Sequence, residues 1–69
     1  MIALFPSVTT ANRIRSFLAR EGCYVDVIQT PKRLSKGGCS YSLRFAERQL
    51  ENVRRAAAEL GATIKGIYE

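Results

Sequence analysis

The sequence predicts a small α/β protein, a two-layer α+β sandwich with the element order βαββαβ. Three observations predict this class. Two segments carry apolar residues at helical spacing, four short segments are apolar or alternate between apolar and polar residues, and a chain of 69 residues has room for one core. We therefore expect residues 1–69 to form a single domain.

The N-terminal segment predicts a strand followed by a helix. "IALF" is a short apolar run that Pro6 ends, and the Ser7 hydroxyl can cap a helix that begins near Val8 or Thr9. The helix should end at Gly22, because glycine readily takes the left-handed position after a last turn. Its apolar stripe consists of Ala11, Ile14, Phe17 and Leu18.

A basic connector, "PKRLSKGG", joins two segments that alternate like half-buried strands. In "CYVDVIQT" one side holds Cys23, Val25 and Val27, and the other holds Tyr24, Asp26 and Ile28. In "SYSLRF" the core side holds Tyr41, Leu43 and Phe45, and the other side holds Ser40, Ser42 and Arg44. Pro31 ends the first of these strands, because proline cannot donate to a central ladder.

The C-terminal third predicts a second helix and a final strand. The helical stripe consists of Ala46, Leu50, Val53, Ala57 and Leu60, and Gly61 is its natural stop. Glu51 and Arg55 lie one turn apart and are expected to pair. "ATIKGIY" then closes the chain as the fourth strand.

This order of elements is the split pattern of a ferredoxin-like sandwich, a four-stranded antiparallel sheet with two helices on one face. Right-handed crossovers place the end of the first strand, the start of the first helix and the loop that carries Cys39 at one edge. The outer face of the sheet should be partly apolar. We expect it to hold Tyr24 and Ile28, together with either Ala3 and Phe5 or the residues that alternate with them in the first strand. A homodimer that buries this face is a candidate interaction.

Composition excludes several classes of function. The chain has no histidine, which removes the usual general base and the commonest metal ligand, so we expect no metal, no cofactor and no self-contained enzyme. No apolar run is long enough to span a membrane, and the two cysteines and the N-terminus favour a reduced, cytoplasmic protein. The net charge of +5 would attract nucleic acid, phosphorylated ligands or an acidic protein.

Cys39 is the candidate reactive residue, because basic residues and glycine amides surround it in the sequence. Such an environment stabilises a thiolate and lowers a cysteine pKa. The residues expected to do so are Lys36, Gly37, Gly38, Lys32 and Arg33. The alternative is that the glycines only form a turn and Cys39 is a small residue at the start of a strand. By strand length Cys23 lies about 20 Å from Cys39, which is outside the reach of a disulfide. We interpret Cys23 as a core residue, because unpaired cysteine is often buried.

The segment "TPKRLSKGGCSYSLRF", with "FPS" before the first helix and "GIYE" at the end, resembles the small family of selenium/sulfur carrier-like proteins over nearly the whole chain. The matching positions are Pro31, Leu34, Ser35, Cys39, Leu43, Arg44 and Phe45. The chain differs from the family pattern in having Ser40 where glycine usually follows the cysteine, and one extra residue before Cys39. The resemblance implies a carrier that holds a persulfide or selenosulfide on Cys39, with donor and acceptor proteins as partners.

The second hypothesis is a small basic interaction module, binding RNA or protein, with no chemistry. "KGGCSYSL" loosely echoes the third-strand signature of RNA-recognition modules, but Gly38 and Ser40 stand where that signature has aromatic residues that stack on bases. The helix arginines alternate with glutamates, which is typical of a solvated surface. Nucleic acid is therefore the weaker alternative to a sulfur donor or acceptor protein.

Overall fold

A computed structural model of the chain describes residues 1–34 and 41–69. Its strands and helices are β1 (Ile2–Phe5), α1 (Val8–Arg20), β2 (Asp26–Gln29), β3 (Tyr41–Arg44), α2 (Leu50–Glu59) and β4 (Gly66–Tyr68). Short 3-10 helices cover Lys32–Leu34 and Glu47–Gln49. The predicted order βαββαβ is confirmed.

The four strands form one sheet in the order β2-β3-β1-β4, and every neighbouring pair is antiparallel. Strand β3 lies between β1 and β2, the two strands that α1 connects. Strand β1 lies between β3 and β4, the two strands that α2 connects. The two βαβ units therefore interleave, and the predicted class of an antiparallel four-stranded sheet with two helices is confirmed.

Both helices cover the same face of the sheet, because their buried residues and the inward strand residues form one cluster. The members include Ala3, Phe5 and Leu43 from the strands, Ala11, Ile14 and Leu18 from α1, and Val53, Ala56 and Ala57 from α2. The predicted core positions Cys23, Val25 and Phe45 also belong to it. The alternation of the strands and the stripe of each helix thus meet in a single core.

The helix ends follow the local signals of the sequence. The Ser7 Oγ accepts a hydrogen bond from the Thr10 backbone N–H at 3.2 Å, so Ser7 is the N-cap of α1. Gly22 and Gly61 follow the two helices with φ of +80° and +66°. A side chain at either glycine would be strained by this left-handed backbone, which explains why both helices stop where glycine stands.

The second and the fourth strand each begin several residues later than predicted. The backbone N–H of Cys23 donates to the Leu18 carbonyl at 2.9 Å, so it completes the end of α1 and does not enter the sheet ladder. Strand β2 consequently begins at Asp26 and not at Cys23. The last strand, predicted from residue 62, is limited to Gly66–Tyr68.

The predicted pairing of Glu51 with Arg55 is wrong. Arg55 instead makes two hydrogen bonds to the carboxylate of Glu21, at 2.5 and 3.0 Å, and Glu51 lies 3.8 Å from Arg54. The contact with Glu21 joins the end of α1 to the middle of α2. Helical spacing alone favours pairs within one helix, whereas this pair depends on how the two helices pack.

The Glu21–Arg55 pair predicts a pH-dependent contribution to stability. The hydrogen bonds from Arg55 hold the pKa of Glu21 below its ordinary value of 4.5. A carboxylate whose pKa is lowered on folding stabilises the fold above its unfolded pKa and stops doing so as pH falls through its folded pKa. Thermal unfolding should therefore show Glu21→Gln less stable than the native chain at pH 7, with the difference shrinking as pH falls below 4.5 and vanishing once Glu21 is protonated in the folded chain.

The matched control for this prediction is Glu51→Gln, because the Glu51 side chain is 84% exposed and its distance to Arg54 is long. Exposed pairs of this kind contribute little, so the control should unfold at the native temperature at every pH. An equal loss in both variants would show that general charge, and not the pairing with Arg55, sets the effect.

In β1, Ile2 and Leu4 lie on the outer face of the sheet, whereas Ala3 and Phe5 point into the core. The Tyr68 ring lies over Gly66, so close that a Cβ on Gly66 would stand 2.9 Å from the Tyr68 Cε2. Leu4 is the register partner of Gly66 and is buried beside this contact. The expectation of a partly apolar outer face is thus met at Ile2 and Leu4, whereas the predicted member Tyr24 lies before β2 and outside the sheet. The homodimer stays a prediction.

Candidate functional site

Three strand ends meet at one edge of the sheet. Gln29 at the end of β2 is paired with Tyr41 at the start of β3, and Tyr41 is paired with Phe5 at the end of β1. The chain leaves this row after Gln29 and returns to it at Tyr41, so the connection between β2 and β3 begins and ends here. We call this row of Gln29, Tyr41 and Phe5 the carrier edge.

The connection is held at its base by a pair of hydroxyl groups. The Oγ1 of Thr30 and the Oγ of Ser42 lie 2.6 Å apart, and Ser42 is completely buried. After Pro31 the chain forms a 3-10 turn, in which the Leu34 backbone N–H donates to the Pro31 carbonyl at 2.8 Å. These contacts fix the point at which the connection leaves and rejoins the sheet.

The N-terminus of α1 lies at the same edge, because Ser7 follows the end of β1 by two residues. The Ser7 hydroxyl caps the first turn and also lies 3.0 Å from the Thr10 hydroxyl. The first turn contains no acidic residue, so the partial positive charge of the helix N-terminus is not offset within the turn. The predicted meeting of the first strand's end, the first helix and this connection is confirmed for the part of the chain that the structure describes.

Two of the predicted thiolate-stabilising residues, Lys32 and Arg33, are described and exposed. Both lie in the 3-10 helix just beyond β2, next to the carrier edge. The other predicted site residues, Lys36, Gly37, Gly38 and Cys39, lie outside the described residues. Their roles therefore remain predictions.

Cys23 is a core residue, as predicted. It is 9% exposed and belongs to the buried cluster. Its Sγ accepts hydrogen bonds from the side-chain amides of Asn52 and Gln49, at 3.4 and 3.6 Å. The Gln49 amide also donates to the Tyr24 carbonyl at 3.1 Å, so the same side chain ties α2 to the segment before β2. Cys23 thus lies at the beginning of this segment, away from the carrier edge.

Sequence reasoning missed the contact of Thr30 with Ser42. The alternation assigned Ser42 to an open face beside Arg44, but Ser42 is buried whereas Arg44 is exposed and pairs with Asp26 at 3.2 Å. The sequence does place one hydroxyl residue at the end of the second strand and another near the start of the third. Because Ile28 pairs with Ser42, Thr30, which stands two residues after Ile28, lies diagonally next to Ser42.

No cluster of three or more His, Cys, Asp or Glu side chains occurs within residues 1–34 and 41–69. In the same ranges no helix is long and apolar enough to cross a membrane. The described residues next to the carrier edge supply positive charge, from Lys32 and Arg33, and a pair of hydroxyl groups, from Thr30 and Ser42. Such a setting favours a bound anion.

Comparison with known proteins gives one match. The family described as "Putative Se/S carrier protein-like" matches residues 1–69, which is the entire chain. Neither the curated proteins nor the solved structures yielded a similar protein.

Proposed function

Because the chain belongs to the Se/S carrier protein-like family, we propose that it carries sulfur or selenium on the thiol of Cys39. The cargo is held as a persulfide or a selenosulfide. The family match over residues 1–69 is the observation that carries the proposal. Membership of a carrier family also implies that the chain meets donor and acceptor proteins.

Cys39 is the better of the two thiols for this role. A carrier thiol has to reach a sulfur atom on another protein, and the Cys23 thiol is buried in the core and engaged by two side-chain amides. In the sequence Cys39 stands two residues before Tyr41, which is a member of the carrier edge.

The charge around the connection supports a lowered thiol pKa. Residues 30–45 contain four basic residues and no aspartate or glutamate. Lys36 stands three residues before Cys39, and Lys32 and Arg33 begin the connection. The N-terminus of α1, whose first turn holds no acidic residue, lies at the same edge. Positive charge of this kind favours the thiolate over the thiol, and the thiolate is the nucleophile.

Loading is an exchange between sulfur atoms with no net oxidation. The Cys39 thiolate attacks the outer sulfur of a donor persulfide, a new bond forms between the two sulfur atoms, and the bond to the donor's inner sulfur breaks. The electron pair of the broken bond leaves on the donor, which becomes a thiolate, and the proton of the outer sulfur moves with it to Cys39. The same balance holds with selenium as the outer atom.

Delivery repeats this exchange in the opposite direction. A thiolate on the acceptor protein attacks the outer atom held by Cys39, and Cys39 leaves as a thiolate ready for another round. The positive charge at the carrier edge has a role in both steps, because it keeps Cys39 ionised as the nucleophile during loading and stabilises the Cys39 thiolate as the leaving group during delivery. No general base is needed when the attacking thiol is already ionised, which suits a chain without histidine.

The test is to incubate the native chain with a cysteine desulfurase and cysteine and then to measure its intact mass. The expected result is a gain of one sulfur atom that dithiothreitol removes. Proteolysis should locate the extra sulfur on the peptide that contains Cys39. Absence of the adduct, or its presence on the peptide that contains Cys23, would contradict the proposal.

A further inference from the structure

An open groove of about 420 Å³ runs along one side of α1. Its lining includes Asn12, Arg13, Ser16, Phe17 and Arg20 from α1 and Leu60 from the end of α2. The α1 residues are spaced by three or four positions, so they form one face of the helix. A smaller cavity of about 80 Å³ shares Arg13 and Leu60 with the groove and extends it to Thr10. We call this combined surface the α1 groove.

The α1 groove is cationic. Arg13 and Arg20 are two helical turns apart, about 10.5 Å along the axis, and both are exposed. Within the described ranges neither guanidinium forms an ion pair, whereas Arg44, Arg54 and Arg55 each contact a carboxylate. Helix α1 contains no acidic residue, and the first one after it, Glu21, is engaged by Arg55. The two groove arginines are therefore available to a partner's carboxylates.

The α1 groove also has an apolar part. Phe17 and Leu60 are half-buried, pack against the core and line the groove between the charged and polar side chains. A ligand that is only an anion would leave these two side chains uncovered. An amphipathic helix can cover them with apolar residues and place acidic residues two turns apart over the arginines.

We propose that the α1 groove docks an acidic amphipathic helix of the protein that donates sulfur or selenium to this chain; the identity of this partner rests on the proposed function. The groove reaches Thr10, which lies next to the Ser7 cap at the carrier edge. A donor held along α1 therefore has its body beside the connection that carries Cys39. Single-stranded RNA fits less well, because Phe17 is the one aromatic residue among the described residues that line the groove, whereas binding of single strands stacks successive bases on several aromatic side chains.

The binding test uses a labelled synthetic helical peptide of about fifteen residues. Two glutamates stand seven positions apart to face Arg13 and Arg20, and two leucines between them face Phe17 and Leu60. Replacing both arginines, as Arg13→Ala with Arg20→Ala, should weaken binding about fivefold to tenfold, and each single replacement about twofold to threefold. The matched control is Arg15→Ala, because Arg15 is an exposed arginine of α1 that does not line the groove. The control should bind like the native chain.

Three outcomes of the binding test would overturn the proposal. The first is equal weakening by Arg15→Ala, which would show general charge attraction. The second is no binding of the peptide to the native chain. The third is tighter binding of a single-stranded RNA of the same net charge, with the same dependence on Arg13 and Arg20.

Sulfur loading separates this proposal from the carrier function itself. With the desulfurase as donor, the double arginine variant should load with a KM raised about fivefold to tenfold, whereas loading from inorganic polysulfide should be unchanged. Equal loading of the variant and the native chain by the desulfurase would contradict docking in the α1 groove and leave the carrier function intact. Failure of Cys39 to load from either source would contradict the carrier function, while the peptide measurement would still decide whether the groove binds an acidic helix.

Discussion

Replacement of Phe5 by alanine is expected to lower the free energy of unfolding by about 3–5 kcal/mol. The Phe5 side chain is completely buried at the end of β1, a strand with neighbours on both sides. It belongs to the cluster that joins the sheet to both helices. Removing the ring takes away its burial and leaves a cavity that surrounding residues of the sheet fill only in part.

The measurement is urea unfolding of the native chain and the variant. Domains of this kind have total stabilities of about 5–15 kcal/mol, so Phe5→Ala should move the midpoint to a far lower urea concentration. Tyr24→Ala is the matched control, because the Tyr24 side chain is 75% exposed, and its loss should be about 0.5 kcal/mol or less. If Phe5→Ala does not fold, Phe5→Leu should show a smaller loss. A change below about 1 kcal/mol for Phe5→Ala would contradict the description of the core.

Replacement of Cys39 by serine is expected to abolish sulfur uptake completely, whereas Cys23→Ser should load like the native chain. A serine hydroxyl stays protonated near neutral pH and forms no persulfide, so Cys39→Ser lacks the acceptor atom. At position 23 a hydroxyl can still accept the hydrogen bonds that Asn52 and Gln49 donate to the sulfur atom. The Cys23 variant is therefore expected to fold.

Mass measurement after incubation with the desulfurase compares the two variants, with circular dichroism to check that each is folded. Uptake by Cys39→Ser at the native level would show that the cargo is held elsewhere. Loss of uptake in a folded Cys23→Ser would show that the buried thiol takes part in the exchange.

Much of the fold follows from local signals in the sequence. Ser7 begins α1, Gly22 and Gly61 follow the ends of the helices, and the alternation around Leu43 assigns β3 to the core. Each of these signals depends on neighbours within a few residues of the chain. They suffice to give the order of elements, and the order restricts the topology because crossovers between parallel strands are right-handed.

The contacts that sequence reasoning missed all join residues distant in the chain. Glu21 pairs with Arg55 across two helices, and Thr30 meets Ser42 across two strands. The α1 groove likewise needs Leu60, which directly follows α2, beside Phe17 of α1. Periodicity assigns a residue to a face but does not identify the side chain opposite it, so such contacts require the packed structure.

For the candidate site, sequence and structure contribute different parts. The pattern of basic residues and glycines selects Cys39, while the register of Gln29, Tyr41 and Phe5 brings the start of α1 to the same edge. The frequent burial of unpaired cysteine predicts that Cys23 is a core residue, and its burial confirms that prediction.

The central claim is that Cys39 holds sulfur reversibly, as a carrier must. The most direct test treats the loaded native chain with cyanide, which takes up the outer sulfur as thiocyanate and releases the Cys39 thiolate. We predict one thiocyanate per loaded chain, a return to the unloaded mass, and a second loading to the same extent. A loaded chain that releases no thiocyanate, or that cannot be loaded again, would contradict the claim.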